Sequence, residues 1–185
     1  MASKLLCCEI LRTEIEHLLQ GKNIEIQYLE AGLHADFKKL EAGIKNTLGE
    51  MGNSKEVSLG FGTMCHPEME QIASTHCKNV MQAKNCIEML LGDKLKELDA
   101  EAQTFYITGG WLENWRKIFI EQLKWDNVDA RQNFGFYDRI ILLDTGLTPL
   151  DDEKILEFFE YTEVPIETMA IDLDNLKKLL FASLE

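Results

Sequence analysis

The sequence predicts an α/β fold with a mostly parallel sheet, helices on both faces, and two Rossmann-like halves. Three observations predict it. Short apolar or alternating runs take turns with segments of helical periodicity along the whole chain. One run, Arg139–Asp144 (RIILLD), is continuously apolar through its middle, as a strand covered on both faces must be. Glycines mark several of the junctions. Such alternation demands right-handed crossovers and helices on both sides of the sheet.

Lys4 to Cys8 is the first strand, and Leu11, Ile15, Leu18 and Leu19 have helical spacing up to a stop at Gly21. Ile24, Ile26 and Tyr28 alternate, then Phe37, Leu40, Ile44, Leu48 and Met51 step by three and four. Val57, Leu59 and Phe61 alternate again before Gly62, and the polar stretch Thr63–Lys78 reads as a functional loop or short helix. Asn79–Ala83 is a brief strand, followed by a single helix through Ile87, Leu90, Leu91, Leu95 and Leu98. Thr104–Thr108 is rich in β-formers and is cut off by Gly109 and Gly110, after which Trp111, Trp115, Ile118, Phe119 and Leu123 share a helical face. Polar Trp125–Asp138, with interspersed aromatics, is the expected hinge or crossover between the two halves. The RIILLD strand, a helix with Ile155, Leu156, Phe158 and Phe159, a strand over Pro165–Ile171 and a helix through Leu173, Leu176, Leu179 and Leu180 complete the chain. Residues 1–185 thus read as one α/β domain with pseudo-halves at 1–100 and 101–185.

Composition narrows the function. Apolar residues make up 45% and charged residues 28%, an ordinary globular mixture. With 32 acidic against 19 basic residues the formal charge is −13, which repels a phosphate backbone, so no nucleic-acid partner is expected. No stretch approaches the roughly 20 apolar residues that cross a bilayer. The start of the chain lacks a secretory apolar region. Five cysteines without a spaced framework suit a reducing compartment, and a cytoplasmic protein is expected.

Cys8, Cys65 and Cys86 each stand at or just past the end of a strand-like run, and strand carboxyl ends share one edge of a parallel sheet. Adjacent strand residues face opposite ways, so Cys8 is assigned to the site and Cys7 to the core. Thiolates are soft ligands, and three of them with His66 or His34 satisfy a tetrahedral zinc or leave one position open; an iron–sulfur cluster is the other expected cofactor. Inert packing is the competing expectation, because free cysteine is among the most buried residue types. A reactive thiol is a third, with Cys86 favoured at a helix amino terminus. The same edge carries Gly62, Gly109, Gly110, Trp111 and Asp144 as candidate cofactor-binding residues. Gly109-Gly110 either exposes backbone N–H groups to an anion or makes a tight turn. Gly60-Phe61-Gly62 lacks the third glycine of a dinucleotide fingerprint, and Asp144-Thr145-Gly146 lacks the second copy an aspartic-protease dyad needs.

Cys8-Glu9-Ile10-Leu11, Gly32-Leu33-His34, Gly60-Phe61-Gly62 with Cys65, Cys86-Ile87 with Leu90-Leu91-Gly92, Tyr106–Trp111 and Leu142–Gly146 resemble an uncharacterised family, domain of unknown function 1638, of methanogens and other anaerobes. The resemblance implies the same three cysteines and a setting among corrinoid-dependent methyltransferase systems. The chain departs from the family pattern at Lys84-Asn85-Cys86, where relatives have His-Asp-Cys, and at Met64-Cys65-His66-Pro67, where they have Cys-Gly. No Asp-x-His-x-x-Gly sequence for a corrinoid lower ligand occurs. The expectation is therefore a metal- or cluster-binding accessory protein, partnered by a corrinoid methyltransferase or corrinoid protein. The alternatives are a metal-free small-molecule or partner-binding module and a thiol-dependent enzyme.

Overall fold

The computed structural model describes residues 3–52 and 54–185. Strands and helices alternate in the expected order, and every strand pairing is parallel, but the strands form two sheets rather than one. The first lobe contains β1 (Ser3–Cys8), α1 (Arg12–Leu19), β2 (Ile24–Leu29), α2 (Phe37–Glu50), β3 (Val57–Gly60), α3 (Met69–His76), β4 (Asn79–Val80), α4 (Cys86–Leu91) and α5 (Lys94–Glu101). Its strand order is β2-β1-β3-β4. The chain therefore steps from β1 to one side and returns to the other, which puts a topological switch point between the carboxyl ends of β1 and β3.

The second lobe contains β5 (Thr104–Thr108), α6 (Gly109–Trp115), α7 (Asn127–Phe134), β6 (Arg139–Asp144), α8 (Asp152–Thr162) and β7 (Ile166–Ala170), in the order β5-β6-β7. Central β6 buries Ile140 to Leu143, as its apolar run demands. β4 pairs with β3 over only two residues, and a new sheet begins at β5. The chain beyond β4 is spent on loop contacts, Thr63 N–H donating to Ala83 O (2.8 Å) and Met64 N–H to Lys84 O (2.9 Å).

Three segments differ from expectation. The helix expected through Ile87–Leu98 breaks at Gly92, whose φ of 55° suits glycine. Asn175 holds that break by donating Nδ2–H to the carbonyls of Glu88 and Met89 (3.0 Å each), the first of which also accepts the Gly92 N–H (2.9 Å). The Trp111–Leu123 helix widens after Trp115 into a seven-residue π-helical segment, Arg116–Gln122. Trp125–Asp138, expected as a hinge or crossover between the halves, instead lies within the second lobe between β5 and β6: Phe134 is buried, and Trp125 and Tyr137 pack on it at 6.2 and 6.4 Å. Thr63–Lys78 contains α3.

α9 (Asp174–Leu184) follows β7 in sequence and packs on the first lobe. Leu176 and Leu180 are fully buried, and Ser58 of β3 donates its hydroxyl to Ser183 O (2.5 Å). No helix among the described residues is long and apolar enough to cross a membrane.

Candidate functional site

At the switch point lies a cavity of about 230 Å³, lined by residues from the ends of four strands. Cys8 closes β1, His34 sits in the short turn Ala31–Ala35 after β2, Gly62 and Cys65 follow β3, and Cys86 opens α4 after β4. Trp111, from α6 of the other lobe, completes the wall.

Local backbone chemistry explains the convergence. The Glu9 carboxylate accepts the Ala31 N–H (3.1 Å), pinning the His34 turn to the end of β1. The loops carrying Cys65 and Cys86 are zipped by the Thr63 and Met64 hydrogen bonds described above. That zipper requires Gly62, because a Cβ there would collide with the Lys84 carbonyl and the Asn85 backbone. Asn85 caps α4 by accepting the Glu88 N–H (3.0 Å), which sets Cys86 at the first helical position. Gly110 lies against the Ile10 carbonyl so closely that a side chain has no room, which brings Trp111 to the pocket. Gly109 faces open space.

The thiols are held in neutral form. Burial pushes Cys65 up to about 12, with the charge of Cys86 adding to it. Burial likewise raises Cys8, helped by the charges of Cys86 and Cys65, against a hydrogen bond from Ile10 N–H to its sulfur (3.5 Å). Cys86 is raised by burial too, although the Trp111 side chain and the N–H groups of Cys86 and Ile87 pull the other way. The helix amino terminus expected to activate Cys86 is therefore outweighed. Cys8 feels the charges of Cys86 and Cys65, Cys65 that of Cys86, and Cys86 that of Glu14, so ionising all three without a cation is strongly opposed.

The two candidate histidines differ. His34 lines the cavity, and its Nδ1 lies 3.7 Å from Cys8 Sγ and 3.3 Å from Ala31 O. Burial lowers its pKa. His66 is buried outside the cavity lining, its Nδ1 accepts the Glu68 N–H (3.0 Å), and its ring stands edge-on to Phe37 at 5.7 Å. Among the described residues, no group of three or more His, Cys, Asp or Glu side chains converges tightly enough to hold an ion as it stands.

The expected cofactor-binding residues divide between two cavities. Gly62 and Trp111 line the thiol pocket, whereas Gly109, Gly110 and Asp144 line a separate one of about 100 Å³ between the lobes. Asp144 accepts the Gly146 N–H (2.8 Å) and shapes the turn after β6. Sequence reading missed Glu14, which is buried in the smaller cavity and accepts the Thr145 hydroxyl (3.2 Å). The signal was present, since Glu14 falls three residues after Leu11 on the apolar face of α1. Also missed were Phe61, Met64 and Met89, which line the thiol pocket.

A family model described as protein of unknown function (DUF1638) matches residues 28–180. The chain belongs to this family. The DUF1638 match takes in His34, Cys65, Cys86, Trp111 and Asp144, and begins after Cys8. No curated protein and no solved structure matches the chain.

Proposed function

We propose that this DUF1638 protein binds a soft transition metal, as zinc or as an iron–sulfur cluster, through the thiolates of Cys8, Cys65 and Cys86. The observation that carries the reading is that three cysteines far apart in sequence line one cavity at the switch point of a parallel sheet. Thiolates favour soft ions, and a cation is what offsets the cost of ionising the buried Cys8 and the half-buried Cys65 and Cys86 together. Gathering the sulfurs onto one centre takes side-chain rotation at Cys65 and Cys86, both of which are partly exposed. In the methyl-transfer setting implied by the family resemblance, the protein is a cytoplasmic accessory to a corrinoid methyltransferase or corrinoid protein. The test is metal and sulfide content after purification with and without oxygen, for the wild type and the Cys8, Cys65, Cys86→Ser triple variant. Near-stoichiometric metal in the wild type and none in the triple variant is expected; less than about a tenth of an equivalent in both wild-type preparations overturns the reading.

A second reading, a metal-free small-molecule module, draws on the apolar lining by Ile10, Leu11, Phe61 and Met89. Ligand binding that survives loss of all three thiols favours it. A thiol enzyme is the weakest reading, because every site thiol is raised away from the neutral range in which a nucleophilic thiolate forms.

A further inference from the structure

We infer that the thiol pocket takes a small, uncharged, apolar molecule bearing sulfur, a thiol or a thioether. This rests on the metal-site reading for its sulfur preference and on the pocket walls alone for size and charge.

Size comes first. A cavity of about 230 Å³ is roughly eight waters' share of liquid volume and lies below the range of drug-sized pockets. Several heavy atoms fit; a nucleotide or a macrocyclic cofactor does not.

Charge selection follows from the lining. No Lys, Arg, Asp or Glu lines the cavity. A carboxylate or ammonium carried inside loses its hydration without gaining a partner of opposite charge. The formal charge of −13 adds a general repulsion of anions. Two of the polar atoms on the lining are already engaged, Asn85 Oδ1 with Glu88 N–H and His34 Nδ1 with Ala31 O.

Softness is the third feature. Met64 and Met89 bring thioethers, and Phe61 and Trp111 bring aromatic faces, a set that makes favourable contacts with sulfur. A soft centre held by thiolates prefers a soft donor for any further position. Met64 is 69% exposed and Phe37 52% exposed, so the mouth of the pocket is apolar as well.

Calorimetric titration with four matched probes tests the inference: propanethiol, 3-mercaptopropionate, cysteamine and propan-1-ol. In metal-loaded protein, propanethiol is expected to bind at least about tenfold more tightly than either charged thiol and more tightly than propanol. A charged thiol binding within about twofold of propanethiol overturns the assignment of charge. Propanol equal to propanethiol overturns the assignment of sulfur. In the reduced, metal-free protein the preference for neutral over charged probes is expected to persist, so failure of the metal reading leaves this part separately decided. Met64→Lys at the exposed mouth gives a second check, with 3-mercaptopropionate expected to gain at least about fivefold and no gain counting against the inference.

Discussion

Nδ1 of His34 stands 3.7 Å from Sγ of Cys8 and 3.3 Å from the carbonyl oxygen of Ala31. A carbonyl only accepts, so that nitrogen carries the proton and Nε2 keeps its lone pair. His66 has the opposite arrangement, because its Nδ1 accepts a backbone N–H and Nε2 must carry the proton. The neutral tautomers are thus set by two backbone groups, and only His34 shares a cavity with the thiols.

Alkaline pH should weaken the fold. The folded-state values of Cys65 and Cys77, about 12 and about 11, lie above the ordinary 9.0. The native protein therefore keeps protons that the unfolded chain gives up. Stability is whole below about pH 9 and falls as pH rises toward the folded values, by at most about 1.4 kcal/mol per pH unit for each thiol. Urea midpoints at about pH 8 and pH 10.5 check this, and Cys65→Ala should reduce the drop.

Adjacent glycines should respond differently. Gly110→Ala drives a methyl group into the Ile10 carbonyl and is expected to cost roughly 2–3 kcal/mol, whereas Gly109→Ala, in open space, should be neutral or slightly stabilising. Urea midpoints of the two variants measure the contrast. Gly62→Ala should resemble Gly110→Ala and also reduce metal uptake, because it forces apart the loops that carry Cys65 and Cys86.

Asn175→Ala should loosen α4 from a distance of more than 80 residues in sequence. It removes the two side-chain hydrogen bonds to the Glu88 and Met89 carbonyls, leaving Glu88 O with the Gly92 N–H, and is expected to cost about 1–2 kcal/mol. Hydrogen exchange at the end of α4, followed by mass spectrometry, should rise in the variant while β6 stays protected.

The parts of the fold that could be read from sequence were those governed by local periodicity. The alternation in Ile24–Tyr28 specifies a strand, and the apolar run at β6 and the Leu40, Ile44, Leu48 and Met51 steps each specify an element and its buried side. Sheet partition and the break at Gly92 were hidden, because the first is a matter of which strands pair and the second involves Asn175 reaching back from α9, both long-range. Trp125–Asp138 looked like a polar hinge because its aromatics are spaced among charges; their burial depends on Phe119 and Phe158 from elsewhere in the chain. Cys8, Cys65 and Cys86 could be placed on one edge because strand carboxyl ends share it in any parallel sheet. The choice between His34 and His66 was not readable, since it turns on which backbone group meets each ring.

X-ray absorption at the edge of the bound metal tests the central claim most directly, by counting sulfur neighbours in protein purified without oxygen. The account predicts about three protein sulfurs near 2.3 Å in the wild type, with one lost on replacing any of Cys8, Cys65 or Cys86 by Ser. Oxygen and nitrogen neighbours alone, or a sulfur count unchanged in all three variants, would contradict it.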